Sequence, residues 1–291
     1  MVLRDSRCPL AMEIFVMSFA SKVVWITGAS SGIGEALANA FLAQGAEGIL
    51  SGRRALEAVA AQAPERTLVL PFETTEYDRL PALVEQAWNW RGRIDVLINN
   101  AGISQRSLAL DTSFDVYRKL VEVDYLAPLA LTQALLPRMV EQGGGQLAIV
   151  SSVAGKVGTA LRTGYCGAKH AVVGYFEALR AEVEAAYGIG VSVILPGSVG
   201  TAIAQNALEG SGAARGRSDT NIDNGIDPVD AARTILDGLS ARQHDIVVAE
   251  GMELGALQLR TADPAKLFAI TSKEGARLAK VRAELGAGAS V

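Results

Sequence analysis

The chain has 291 residues and a net charge of −4; 49% of it is hydrophobic, 20% is charged, and it holds two cysteines. That is enough apolar material for a large core, while an acidic balance without a basic run argues against nucleic acid as a partner. Cys8 and Cys166 are too few for a disulfide framework and fit a reducing cytoplasm, and no apolar run reaches the ~18–20 residues that would span a bilayer, so no membrane partner is expected.

Arg4 and Arg7 precede an apolar patch with the look of a signal peptide, but Glu13 interrupts it and no clear cleavage site follows. Residues 1–20 are therefore expected to be a flexible extension, with Met1 or Met17 as the start. Strands are expected at 22–27, 47–51, 67–71, 94–99, 145–151, 191–195 and 245–249. Each is a continuous apolar run, the pattern of strands buried on both faces. Helical patterns fill the gaps at 34–44, 76–90, 113–140 and 164–187, with Pro81 in a first turn or at a kink. This alternation predicts an α/β fold: a doubly wound, Rossmann-type, seven-stranded parallel sheet with helices on both faces, in one domain.

The first strand runs into "TGASSGIG", residues 27–34, and then a helix. Gly28, Gly32 and Gly34, with Ser30, Ser31 and Ile33 between them, let backbone N–H groups approach a pyrophosphate at the helix start. The strand–turn–helix context makes this a dinucleotide fingerprint. The second strand ends in "SGRR" rather than an acidic residue. Arg53 and Arg54 offer guanidinium forks for a 2′-phosphate, so NADP (NADPH) is favoured over NAD. After the third strand Glu73 is placed to meet the adenine rim. After the fourth, "NNAG" supplies Asn99, Ala101 and Gly102 as a small-residue platform beside the cofactor.

"SS" at 151–152 ends the fifth strand, and "YCGAK" follows thirteen residues after Ser152. Tyr165 and Lys169 are one helical turn apart. Unit charges ~4 Å apart at an effective dielectric of ~20 interact by ~4 kcal/mol, so a lysine cation makes a neighbouring phenol a far better proton donor. Residues 204–226 are long, Gly/Ser/Asn-rich and weakly patterned, and are expected to be a mobile lid. From Gly251 two short helices and a loose tail are expected, packed on the same domain. The boundaries are thus 1–20 for the extension, 21–250 for the catalytic domain with its lid, and 251–291 for a helical extension.

The pieces "TGASSGIG", "NNAG", "SSVAG", "YCGAK" and "PGSVGT" occur in an order and spacing that resemble the short-chain dehydrogenase/reductase family across residues 20–250. The resemblance implies an oxidoreductase that transfers hydride between NADP and a small carbonyl or secondary-alcohol substrate. Tyr165 would be the general acid or base, Lys169 would bind the nicotinamide ribose, and Ser152 would hydrogen-bond the substrate oxygen. Pro196, Gly197, Val199 and Thr201 would border the nicotinamide. It also implies a homodimer or homotetramer through the helices at 113–140 and 164–187. Asp124 departs from the pattern, which has asparagine there in the proton relay. Two alternatives stay open at this point: a 3-oxoacyl-thioester reductase, and a non-catalytic NADP-binding scaffold or regulator.

Overall fold

The computed structural model describes residues 18–53 and 56–286. The expected extension up to residue 17, Arg54 and the tail beyond 286 lie outside the described residues. Seven strands form one sheet: β1 (Val23–Thr27), β2 (Glu47–Ser51), β3 (Thr67–Val69), β4 (Val96–Asn99), β5 (Gly145–Val150), β6 (Ile189–Pro196) and β7 (Asp245–Val248). Their order is β3-β2-β1-β4-β5-β6-β7, and every pairing is parallel. The chain direction across the sheet therefore reverses between β1 and β4. That switch point opens a crevice at the carboxyl ends of the strands.

Ten α-helices surround the sheet among the described residues: α1 (Gly32–Ala43), α2 (Leu56–Ala60), α3 (Leu80–Arg91), α4 (Phe114–Val121), α5 (Ala127–Gln142), α6 (Thr163–Tyr187), α7 (Thr220–Asp223), α8 (Pro228–Ser240), α9 (Gly251–Ala262) and α10 (Pro264–Leu285). Alternate residues of each central strand go to opposite layers. Val24 and Ile26 pack with Leu37 and Phe41 of α1 and Ile235 of α8, whereas Val23 and Trp25 pack with Leu83 of α3, Leu135 of α5 and Phe176 of α6. This is why the strands read as unbroken apolar runs. The edge is different: β7 alternates, with Val247 39% exposed while Ile246 and Val248 join the layer of α1 and α8.

Three expectations are corrected. The extension does not reach residue 20, since Phe19 is 1% exposed and stacks edge-on against Phe41 at 4.8 Å. The helical pattern at 113–140 is two helices joined by a π turn at Glu122–Leu126. Pro128 has no N–H to give the carbonyl four residues back, that of Asp124, so the backbone widens there. The segment 204–226 is not an open loop but a strap. Ala204, Ala207, Leu208 and Ile222 are buried, and the Leu208 backbone pairs on both sides with the loop after β4 (Arg106 N–H to Leu208 O, 2.9 Å; Leu208 N–H to Ser104 O, 2.8 Å). Its apolar residues are spaced too irregularly for a periodic pattern to reveal them.

The C-terminal helices pack on the same body. Leu267 of α10 joins Val153 and Val157 in a small apolar cluster, and Arg282 forks onto Asp111 with both bonds at 2.7 Å. No helix among the described residues is long and apolar enough to cross a membrane.

Candidate active site

The crevice at the switch point is a cleft of about 1000 Å³, at the upper end of the range for small-molecule and cofactor sites. Its first wall is the turn between β1 and α1. Gly28 and Gly32 have φ of +67° and +57°, a region that favours glycine. A Cβ on Gly34 would lie 2.2 Å from the Gly28 carbonyl oxygen, so the turn closes only over a bare backbone. Gly28, Ser30, Ser31, Gly32 and Ile33 line the cleft, while Gly34 supports the turn from behind. Thr201 covers the turn from across the cleft; a Cβ on Gly32 would meet its Cγ2 at 2.9 Å.

Arg53 and Glu73 both reach the cleft at the ends of β2 and β3. Arg53 is exposed and 3.8 Å from the Glu73 carboxylate, so Glu73 counterbalances the arginine as well as bordering the rim. The platform after β4 differs from expectation at one position. Asn99 is buried in the strand and donates to Thr132 Oγ1 (3.0 Å), tying β4 to α5 away from the cleft. Asn100 does the expected work instead: its Nδ2 donates to the Thr27 and Gly28 carbonyls (3.0 and 3.2 Å) and so fixes the glycine turn. Strand alternation separates the two, and the pair "NN" alone does not say where the strand ends.

Ser152, Tyr165 and Lys169 line the middle of the cleft together, with Ala101 and Gly102 below and Pro196, Gly197, Val199 and Thr201 along the far wall. The Tyr165 and Lys169 side chains meet, the ammonium lying 5.7 Å from the ring centroid. Lys169 is 4% exposed and donates to the Val150 carbonyl at the end of β5 (3.1 Å). Ser152 Oγ accepts from the Ala154 N–H (3.1 Å) and donates to the Pro196 carbonyl (3.2 Å), a bond it must exchange to reach a substrate.

Asp124 does not line the cleft; it stands behind Lys169 in the π turn. Its Oδ1 accepts from the Ile103 N–H (2.9 Å) and is 3.9 Å from Lys169 Nζ, while Oδ2 is buried without a partner among the described residues. Burial pushes the Asp124 carboxyl up to about 6, outweighing Lys169 and the Ile103 N–H, which both pull it down. The weakly patterned stretches at roughly 103–107, 153–162 and 198–215 are where the sequence places a substrate pocket without singling out a residue; Arg106 and Arg162 from the first two line the cleft, while Glu253 of α9 was missed. Glu253 accepts from the Ser198 N–H (2.6 Å) and hydroxyl (3.0 Å) and holds the loop after β6. A lone acidic residue on a distant helix carries no signal that it folds back onto that loop.

The bare glycine cradle, the cleft volume and the small residues after β4 suit a nicotinamide dinucleotide. The family described as short chain dehydrogenase matches residues 22–212. The dehydrogenase/reductase SDR family member 7B of Danio rerio is 39% identical over 260 residues, covering 86% of this chain and 84% of that protein. Two solved bacterial structures share the fold. A short chain dehydrogenase/reductase from Burkholderia phymatum in complex with NAD has a TM-score of 0.76 at 22% identity, over 85% of this chain and 95% of that one. A short chain dehydrogenase from Burkholderia cenocepacia in complex with NADP has a TM-score of 0.74 at 23% identity, over 88% and 99%.

Asp124 gives this site a measurable signature. Its folded-state value is above the ordinary carboxylate value of 3.8, so the folded chain keeps a proton that the unfolded chain releases. The stability Asp124 contributes is full below pH ~4 and is lost as pH rises through ~6, on the order of 2–3 kcal/mol. Asp124→Asn removes that loss. The stability of the variant relative to wild type should rise between pH 4 and 7 in urea melts, and the pH–rate profile should shift. A pH-independent difference would show that Asp124 does not titrate in this range.

On this evidence the chain belongs to the short-chain dehydrogenase/reductase family, and it is an NAD(P)-dependent oxidoreductase.

Proposed function

We propose that the protein is an NADP-dependent reductase or dehydrogenase of a small carbonyl or secondary alcohol, with Tyr165 as general acid in reduction and general base in oxidation. One observation carries the reading: the buried ammonium of Lys169 lies 5.7 Å from the Tyr165 ring centroid, and both residues line the cleft with Ser152. A bound nicotinamide supplies or accepts the hydride. The Tyr165 hydroxyl gives a proton to the carbonyl oxygen, and the Lys169 charge favours the phenolate left behind. Ser152 Oγ turns from Pro196 toward the same oxygen and orients it. Lys169 keeps its place through the Val150 carbonyl and Asp124 and would hold the nicotinamide ribose when the cofactor is bound. A scaffold released from catalysis would have no chemical reason to hold this serine, phenol and ammonium together.

The preference for NADP rests on Arg53 at the cleft rim and on the absence of an acidic residue at the end of β2. The reading extends to self-association through the faces of α4, α5 and α6 and to a cytoplasmic setting. These are supported by the family resemblance and by the low cysteine count.

Two measurements test the proposal. Tyr165→Phe should lower turnover by about 10²–10⁴-fold while NADPH still binds; turnover near the wild-type rate would reject the acid–base role. Arg53→Ala should weaken NADPH by roughly 10–100-fold, the loss expected for a charge-assisted contact, with little effect on NADH. Equal losses for the two cofactors would reject the 2′-phosphate contact.

A further inference from the structure

Beyond Tyr165 the cleft is bordered by two arginines from different loops. Arg106 comes from the loop after β4 and Arg162 from the residue just before α6, and both line the cleft with Tyr165. The Arg106 side chain is 5% exposed and its guanidinium is held rigidly. Nε donates to Asp219 of the strap (2.7 Å), and Nη1 donates to Ser104 Oγ (3.0 Å) and the Gln105 carbonyl (2.9 Å). Its Nη2 has no such acceptor among the described residues. Asp219 also takes Arg215 (2.5 Å), so this cluster keeps one net positive charge.

Arg162 adds a second. It has neither an ion pair nor a side-chain hydrogen bond among the described residues, although it is only partly exposed. Burial first, and then the Arg162 charge, lower Arg106 from its ordinary value, while Asp219 and Tyr165 oppose that shift. Two like charges are therefore held close enough to disfavour one another, beside the reacting phenol. The backbone is strained at the same point. Leu161, immediately before Arg162, has φ +65°, costly for a branched side chain, and is fixed there by a hydrogen bond from the Ser107 N–H (3.0 Å). The same loop thus carries Arg106 and clamps the residue that aims Arg162.

We infer that the substrate carries an oxyanion, a carboxylate or a phosphate, that is gripped by Arg106 and Arg162 while its carbonyl faces Tyr165. This rests on the reductase reading and narrows it to a substrate class. The free Nη2 edge of Arg106 and the unpaired fork of Arg162 match the two or three acceptor oxygens of such a group. An anion there also relieves the repulsion between the two guanidinium groups.

The test uses matched probes with NADPH: 2-, 3- and 4-oxopentanoate against their methyl esters, and 3-oxobutyl phosphate against 4-hydroxybutan-2-one. Wild type should prefer at least one anionic member by about 10–100-fold in kcat/KM. In Arg162→Gln that ratio should fall toward one through KM, and Arg162→Lys should restore part of it. Neutral probes reduced as well as anionic ones, or a ratio unchanged in Arg162→Gln, would overturn the inference and leave the reductase reading intact. Should no probe be turned over, the reductase reading fails. Calorimetric binding of the same anions to the NADP⁺-loaded protein then decides the inference: affinity lost in Arg162→Gln supports it, and no binding, or binding indifferent to the substitution, overturns it.

Discussion

A single buried ammonium organises the centre of this molecule. Lys169 Nζ is almost entirely out of water, where a cation is costly unless it is paired and hydrogen-bonded. Its partners come from two separate elements: the carbonyl at the end of β5 and the carboxylate in the π turn between α4 and α5. The surrounding small residues follow from that arrangement. A Cβ on Gly102 would lie 2.9 Å from Asp124 Oδ1 and 3.3 Å from Lys169 Nζ; one on Gly155 would lie 2.8 Å from the Lys169 carbonyl oxygen and 2.4 Å from Ser151 Oγ. The Ser151 hydroxyl already donates to that carbonyl at 3.0 Å. Packing that reads as a catalytic motif along the chain is, in space, the set of groups that make one internal charge tolerable.

The parts of the site that were legible in the sequence are those whose chemistry is local. The glycine turn needs its positive φ angles within five residues, and Tyr165 and Lys169 need only a helical turn between them. The parallel sheet was legible because strands buried on both faces leave unbroken apolar runs, and for the same reason the edge strand β7 was read as more buried than it is. Failures occurred where a tertiary partner decides. Asn99 and Asn100 are adjacent and identical, yet pleating sends one to Thr132 and lets the other brace the Gly28 turn. The π turn needed the Asp124–Pro128 relation to be weighed against an otherwise continuous helical pattern. The strap at 204–226 is held by contacts with residues 104–106, about a hundred positions earlier, so its composition suggested a mobility that its pairing opposes.

Asp124 shows how one atom changes the character of a geometry that an asparagine would share. As an acceptor it meets the same demands an asparagine oxygen would, taking the Ile103 N–H and facing Lys169. At its second terminal atom an amide would offer a donor. This carboxylate has an oxygen there with no partner among the described residues, in a place where ionisation is disfavoured. Burial and the lysine thus pull in opposite directions, and burial prevails. The buried pair can therefore hold a proton at mildly acidic pH that an asparagine could not, and its charge varies in a range where turnover is measured.

The net charge of −4 describes the whole surface and conceals the field inside the cleft. Arg53 stands at one rim, Lys169 at the centre, and Arg106 and Arg162 beyond it, all lining the same crevice. Lys119 and Glu122 also line it, and the other carboxylates nearby are Glu73 beside Arg53, Asp124 behind Lys169, and Asp219 divided between Arg106 and Arg215. Low-dielectric walls focus the field of the charges that line them, so an acidic protein can still hold a local excess of positive charge in its cleft. Overall composition and local field therefore differ, and it is the local field on which the proposed anionic substrate, with a carbonyl facing Tyr165, rests.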